Sequence, residues 1–131
     1  IYLRVSTIKK TIDFFFKKKS ILCFPVYKKK IPYAYILRDK SKNFKDIIQT
    51  RETNKKVEMG ESDCGFFVFQ SKIIRRKLKF LIKKKLIITK KTKEIDFLKS
   101  FKFLNKLGRI DTIKANSHKD TIGINYLEDL I

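Results

Sequence analysis

Residues 65–69, Gly-Phe-Phe-Val-Phe, constrain the fold more than any other stretch. An apolar run this short reads as a strand covered on both faces, so layers of other structure must lie above and below it. Helical patterns on either side can supply those layers. Upstream, Thr7 to Lys18 places Ile8, Ile12, Phe15 and Phe16 at i, i+4, i+7 and i+8, one apolar stripe, with Ser6 or Thr7 as its cap. Downstream, Lys72 to Lys85 puts Ile74, Leu78, Leu81 and Ile82 on one face and Arg75, Arg76, Lys77 and Lys79 on the other. Glu94 to Leu107 predicts a third helix with Phe97, Leu98, Phe101 and Leu104 inward and Gly108 as its C-cap.

Strand signals fill the intervals. Ser20 to Tyr27 is short, apolar and rich in β-favouring residues, which reads as a buried strand, and Pro25 marks its far end as a sheet edge. Tyr33, Tyr35 and Leu37 alternate with Ala34 and Ile36, Asp39 to Asn43 is turn material, and Phe44 to Thr50 resumes as a strand. Residues 34 to 50 therefore read as a hairpin. Glu52 to Ser62 is charged and irregular, a surface loop, and Ile110 to Ala115 is a last strand. Ile122 to Asn125 leads into a short terminal helix, Tyr126 to Leu130. Strands alternating with helices in one unit predict an α/β domain with a mainly parallel sheet. Residues 33–38, 44–49 and 65–69 should share that sheet beneath the three helices.

The chain has 131 residues, enough for one domain with a core, and 43% of them are hydrophobic. Its formal net charge is +20, from 33 basic and 13 acidic residues. Two readings of that charge stand side by side. One is a surface selected for a polyanion such as nucleic acid. The other is codon bias toward A and T, because Lys, Ile and Phe abound while only six basic residues are Arg. The chain opens at Ile1 and its sole methionine is Met59, which reads as a piece of a longer product. Cys23 and Cys64 lie beside apolar residues without metal spacing, as buried free thiols in a reducing, cytoplasmic setting. No apolar run reaches the ~20 residues of a membrane helix. His118 has no ligand cluster beside it and cannot join a triad.

Three stretches, PYAYILRD with FKDIIQT, GESDCGFFVF and IGINYLEDL, occur in an informative order. Together they resemble the sugar-1-phosphate nucleotidyltransferases, best the N-acetylglucosamine-1-phosphate uridylyltransferase branch. That family carries a Y-G-R-I/V strand, a hairpin ending I-V-E-x-K-D-A, an E-x-N-x-G strand and a closing G-V-N-x-x-E-D-L. The resemblance covers nearly the whole chain. It implies a Rossmann-like nucleotidyltransferase domain, with residues 1–131 as its sugar-binding half.

It further implies substrate-binding roles for Tyr33, Ala34, Gln49, Asp63 and Gly65, and a Mg²⁺-holding role for Asn125. Tyr33 and Ala34 stand where the family has Tyr-Gly, and Ala34 adds a methyl group at a close backbone approach. Gln49 replaces a Glu that accepts hydrogen bonds from sugar hydroxyls, and Asp63 replaces an Asn. The family's glycine-rich L-x-x-G-x-G-T-R loop and Pro-Lys pair, which cradle the triphosphate, have no counterpart here. Implied partners are a sugar 1-phosphate and a nucleoside triphosphate, with the chain inactive alone; no catalytic residue is assigned. A small basic nucleic-acid-binding protein is the alternative. Each assignment has a plainer counterpart: Asn125 as a helix cap, Gln49 and Asp63 as polar strand ends, Tyr33 and Tyr35 as ordinary strand aromatics.

Overall fold

In the computed structural model, which describes residues 3–121, the covered strand is β1 (Leu22–Lys30). Its side chains alternate between two cores. Leu22, Phe24 and Val26 enter one cluster, while Cys23 enters the other beside Phe15 and Ile113. Along one edge of β1 lie β4 (Met59–Asp63) and β5 (Val68–Phe69), both antiparallel, with β4 against residues 26–30 and β5 against residues 22–23. Along the other edge β6 (Ile110–Lys114) runs parallel, from Leu22↔Ile110 to Val26↔Lys114.

The expected mainly parallel sheet is thus a mixed one, in which β1–β6 is the single parallel pairing among the described residues. The hairpin forms as expected from β2 (Ala34–Arg38) and β3 (Phe44–Gln49), joined by a turn in which Asp39 Oδ1 accepts the Ser41 and Asn43 N–H groups at 2.8 and 2.9 Å. It makes a separate two-stranded sheet packed beside β4, so residues 33–38, 44–49 and 65–69 do not share one sheet.

The stretch at 65–69 contributes only Val68 and Phe69 as strand, on an edge, with Phe69 40% exposed. Gly65 at φ 70° bends the chain off the strand line. The Phe67 ring then drops into an aromatic cluster with Phe24, Phe97 and Phe101 at centroid distances of 5.3, 5.5 and 5.6 Å. Pro25 is not an edge mark either. Val26 turns its carbonyl toward the β6 side, where it accepts the Ala115 N–H at 2.9 Å, so by alternation the Pro25 nitrogen faces the opposite edge. On that edge the partner changes from β5 at Cys23 to β4 at Val26, and a missing N–H breaks no ladder bond. β4 takes up the end of the expected loop 52–62 and runs one residue past it. Its charges hid it: Glu61 lies across from Lys28 and pairs with Arg38, while Asp63 lies across from Val26.

α1 (Val5–Lys18) covers the Cys23 face of the sheet. Its buried line is Thr7, Thr11 and Phe15, rotated from the expected one, which leaves Ile12 half-exposed and Phe16 71% exposed. Burying two threonines is tolerable because both hydroxyls are bonded. Thr11 Oγ1 donates to the Thr7 carbonyl at 2.8 Å and Thr7 Oγ1 to Asp120 Oδ2 at 2.5 Å. Neither Ser6 nor Thr7 caps the helix. The N-cap is Arg4, and Asp120 Oδ1 accepts its N–H at 2.9 Å.

α2 (Ser71–Lys83) buries Ile74 and Leu81 as expected. The helix expected over 94–107 shrinks to a 3-10 turn, Leu98–Ser100, and α3 (Phe101–Leu104). Ile95 pairs as an isolated bridge with Ile88, and Asp96 Oδ1 accepts the Leu98 N–H at 3.0 Å, starting the helical turn only there. Gly108 is not the cap. It permits close approach, since a Cβ there would stand 2.7 Å from Ile21 Cγ2. The terminal helix 126–130 lies outside the described residues.

Asp120 is fully buried and joins the start of α1 to a 3-10 turn, His118–Thr121. Asp120→Ala leaves the Arg4 N–H and the Thr7 hydroxyl without their acceptor, and should lower stability by about 1–3 kcal/mol. Urea unfolding checks this; a loss below a few tenths of a kcal/mol, the scale of an ordinary surface change, would contradict the role assigned to Asp120.

Candidate functional site

Ala34 and Gln49 sit directly opposite each other at the open end of the hairpin. Asp63 ends β4, the strand against which β2 packs. Those placements bring Tyr33, Ala34, Gln49 and Asp63 to the wall of one cleft of about 360 Å³. The residues come from three segments, and a fourth closes the cleft with Thr89, Glu94 and Asp96. Ala34 is buried, so its methyl group lies in the cleft wall, whereas Tyr33 is 68% exposed and stands at the rim. The Tyr33 carbonyl is held by the Thr50 N–H at 2.9 Å and the Thr50 hydroxyl at 3.0 Å, which closes the hairpin mouth.

Gly65 does not line the cleft among the described residues. Its N–H donates to Asp63 Oδ2 at 2.8 Å, so it orients a site carboxylate and turns the chain. Asn125 lies outside the described residues. Among those described, no three His, Cys, Asp or Glu side chains gather to hold a metal, and no step below passes through an ion.

The sequence reading missed Asp96, Arg51 and Glu94. Gln49 Nε2–H donates to Asp96 Oδ2 at 2.6 Å, and Arg51 Nε–H donates to Gln49 Oε1 at 3.0 Å. The amide at position 49 thus sits in a relay between a guanidinium and a carboxylate. A carboxylate, Asp96, therefore stands one side chain away from position 49. Asp96 is also pinned from behind, because its N–H donates to the Ile87 carbonyl at 2.8 Å and its Oδ1 starts the 3-10 turn. No local pattern announces it; a polar residue just ahead of FLKSF was the one available signal.

A second cleft of about 410 Å³ shares Gln49 and Asp96 with the first and adds Asp46, Lys90, Lys99 and Lys102. Lys99 Nζ is tethered to the Ile88 carbonyl at 3.2 Å. Burial holds the Asp46 carboxyl above its ordinary range, although the Ile47 N–H and nearby Lys102 and Lys45 pull it down. One continuous surface therefore carries carboxylates and an amide suited to hydroxyl groups, beside ammonium groups suited to an anion.

No protein-family profile matches this chain, and a search of curated proteins returns no match.

Cys64, next to Asp63, and Cys23 are both buried and unpaired. Burial pushes each thiol up to about 12, helped by Asp111 for Cys23 and by Asp63 and Asp120 for Cys64. Both should resist iodoacetamide near pH 8.5, where a free cysteine is about half ionised, and react once urea unfolds the chain. A raised thiol value in the fold stabilises it below the ordinary value and fades above it. Stability should therefore fall as pH rises from about 9 toward 12. Fast labelling of the folded chain would show these thiols to be open.

Proposed function

We propose that this chain is the sugar-binding part of a sugar-1-phosphate nucleotidyltransferase and grips a sugar phosphate in the cleft beside the hairpin mouth. The supporting observation is the meeting of Tyr33, Ala34, Gln49 and Asp63 at one cleft. Motif order alone selected these four, from segments up to 30 positions apart in the chain. In the full reaction an oxygen of the sugar 1-phosphate attacks the α-phosphorus of a nucleoside triphosphate, and pyrophosphate leaves with the electrons of the broken P–O bond. The groups here fit the sugar side of that exchange. Asp96, Asp63 and Glu94 accept hydrogen bonds from hydroxyls, the Gln49 amide can do either, and Lys90, Lys99 and Lys102 neutralise phosphate.

The chain carries no glycine-rich phosphate loop of the family's kind. Each such charge-stabilising contact is typically worth about a hundredfold to a thousandfold in rate. Binding without turnover is the expected behaviour.

Calorimetric titration with N-acetylglucosamine 1-phosphate should give saturable binding. Asp96→Asn keeps the shape of the side chain and its contact to Leu98 but removes the charge, and should weaken binding about tenfold or more, the worth of a hydrogen bond to a charged group. Pyrophosphate release with uridine triphosphate should stay at background. Clear turnover, or binding unaffected by Asp96→Asn, would overturn this reading.

A further inference from the structure

The outer face of α2 has no part in the cleft and carries the densest positive charge on a regular element. Lys72, Arg75, Arg76, Lys79 and Lys83 recur once per turn, at i, i+3/i+4, i+7 and i+11, and all five are exposed. The helix spans 13 residues, about 20 Å at the usual rise, and contains no acidic residue. Ion pairs among the described residues join Arg38–Glu61, Arg51–Glu52 and Arg109–Asp111, none of them on α2. Self-repulsion along such a row is unfavourable unless an anion lies on it.

Beside the row, Ile73 and Phe80 lie two turns apart on one flank. Phe80 is 48% exposed, and Lys77 Nζ stands 5.0 Å from its ring centroid. An exposed aromatic ring flanked by cations is a platform on which a base can stack.

Two anionic partners fit a basic helix, a membrane surface and a nucleic acid. Helices that lie in membranes turn a continuous apolar face to the lipid. The apolar face of α2 is already spent, since Ile74 and Leu81 are buried and Leu78 packs against the core. We propose that α2 is a docking surface for single-stranded nucleic acid, with phosphates along Lys72, Arg75, Arg76, Lys79 and Lys83 and a base on Phe80. This surface is independent of the cleft and of the sugar phosphate reading.

The probe is a fluorescein-labelled thymidylate dodecamer, read by anisotropy over a salt series. Each neutralised phosphate contributes a slope of about −0.7 in log K against log salt on a single strand. The triple variant Arg75→Gln, Arg76→Gln, Lys79→Gln should flatten the slope by about 2 units. Phe80→Ala should weaken binding roughly 5- to 150-fold, the usual worth of one stacked base. A control with the same charge loss elsewhere, Lys9→Gln, Lys17→Gln, Lys40→Gln, should bind within about twofold of the parent if phosphates sit on α2. Circular dichroism melting confirms that each variant is folded. The proposal fails if the control loses as much as the α2 variant, which would mean diffuse attraction to the whole charge. It fails equally if a duplex of the same length, or phosphatidylserine vesicles, bind more tightly than the single strand.

Discussion

The Phe24 ring joins parts of the molecule that have no backbone pairing in common. It sits fully buried on β1, with the rings of Phe67, Phe101 and Phe44 at 5.3, 5.5 and 5.9 Å. Those rings come from the bend after β4, from α3 and from the hairpin. Edge-on and tilted aromatic pairs add a directional preference of roughly 0.5–1.5 kcal/mol each to the burial of their surface. The hairpin makes no ladder bonds to the main sheet, so this cluster and the packing beside β4 determine where its open end lies. The cleft is built at that open end, and Ala34, Phe97 and Leu98 belong both to its wall and to this core, so its shape depends on how the rings pack.

The elements most legible in the sequence were those whose stability is local. The hairpin rested on alternation and a polar turn, and α2 on a clear apolar spacing. Ser20 to Tyr27 was read as a buried strand and is one, but residues 65–69 took the central place, because hydrophobicity does not distinguish a run buried by strand pairing from one buried by ring packing. Residues 65–69 are apolar because Phe67 fills the aromatic core, while β1 ends in three lysines and is nonetheless the shared strand. β4 was invisible for a related reason. Its buried residue is Ser62 rather than an apolar side chain, so the strand offers no hydrophobic alternation to read.

For the cleft, motif order supplied Tyr33, Ala34, Gln49 and Asp63, but not what they touch. Asp96 entered only with coordinates, because its partner Gln49 is 47 positions away. Position 49 read in isolation is a neutral amide, yet a carboxylate stands within a hydrogen bond of it. Gly65 holds Asp63 in place, with its N–H donating to the Asp63 carboxylate, a role that a motif match does not reveal.

Asp120 lies 113 positions beyond Thr7, whose hydroxyl it accepts, and β6, the parallel partner of β1, ends only a few residues earlier. During synthesis α1 is therefore made well before its acceptor, 113 residues or roughly 5 to 25 s earlier at ordinary elongation rates. Until then one edge of β1 is unpaired and α1 has unmet donors at its start. Until Asp120 emerges the sheet thus has an open side, and the same carboxylate that takes the Arg4 N–H and the Thr7 hydroxyl marks the moment that side is closed.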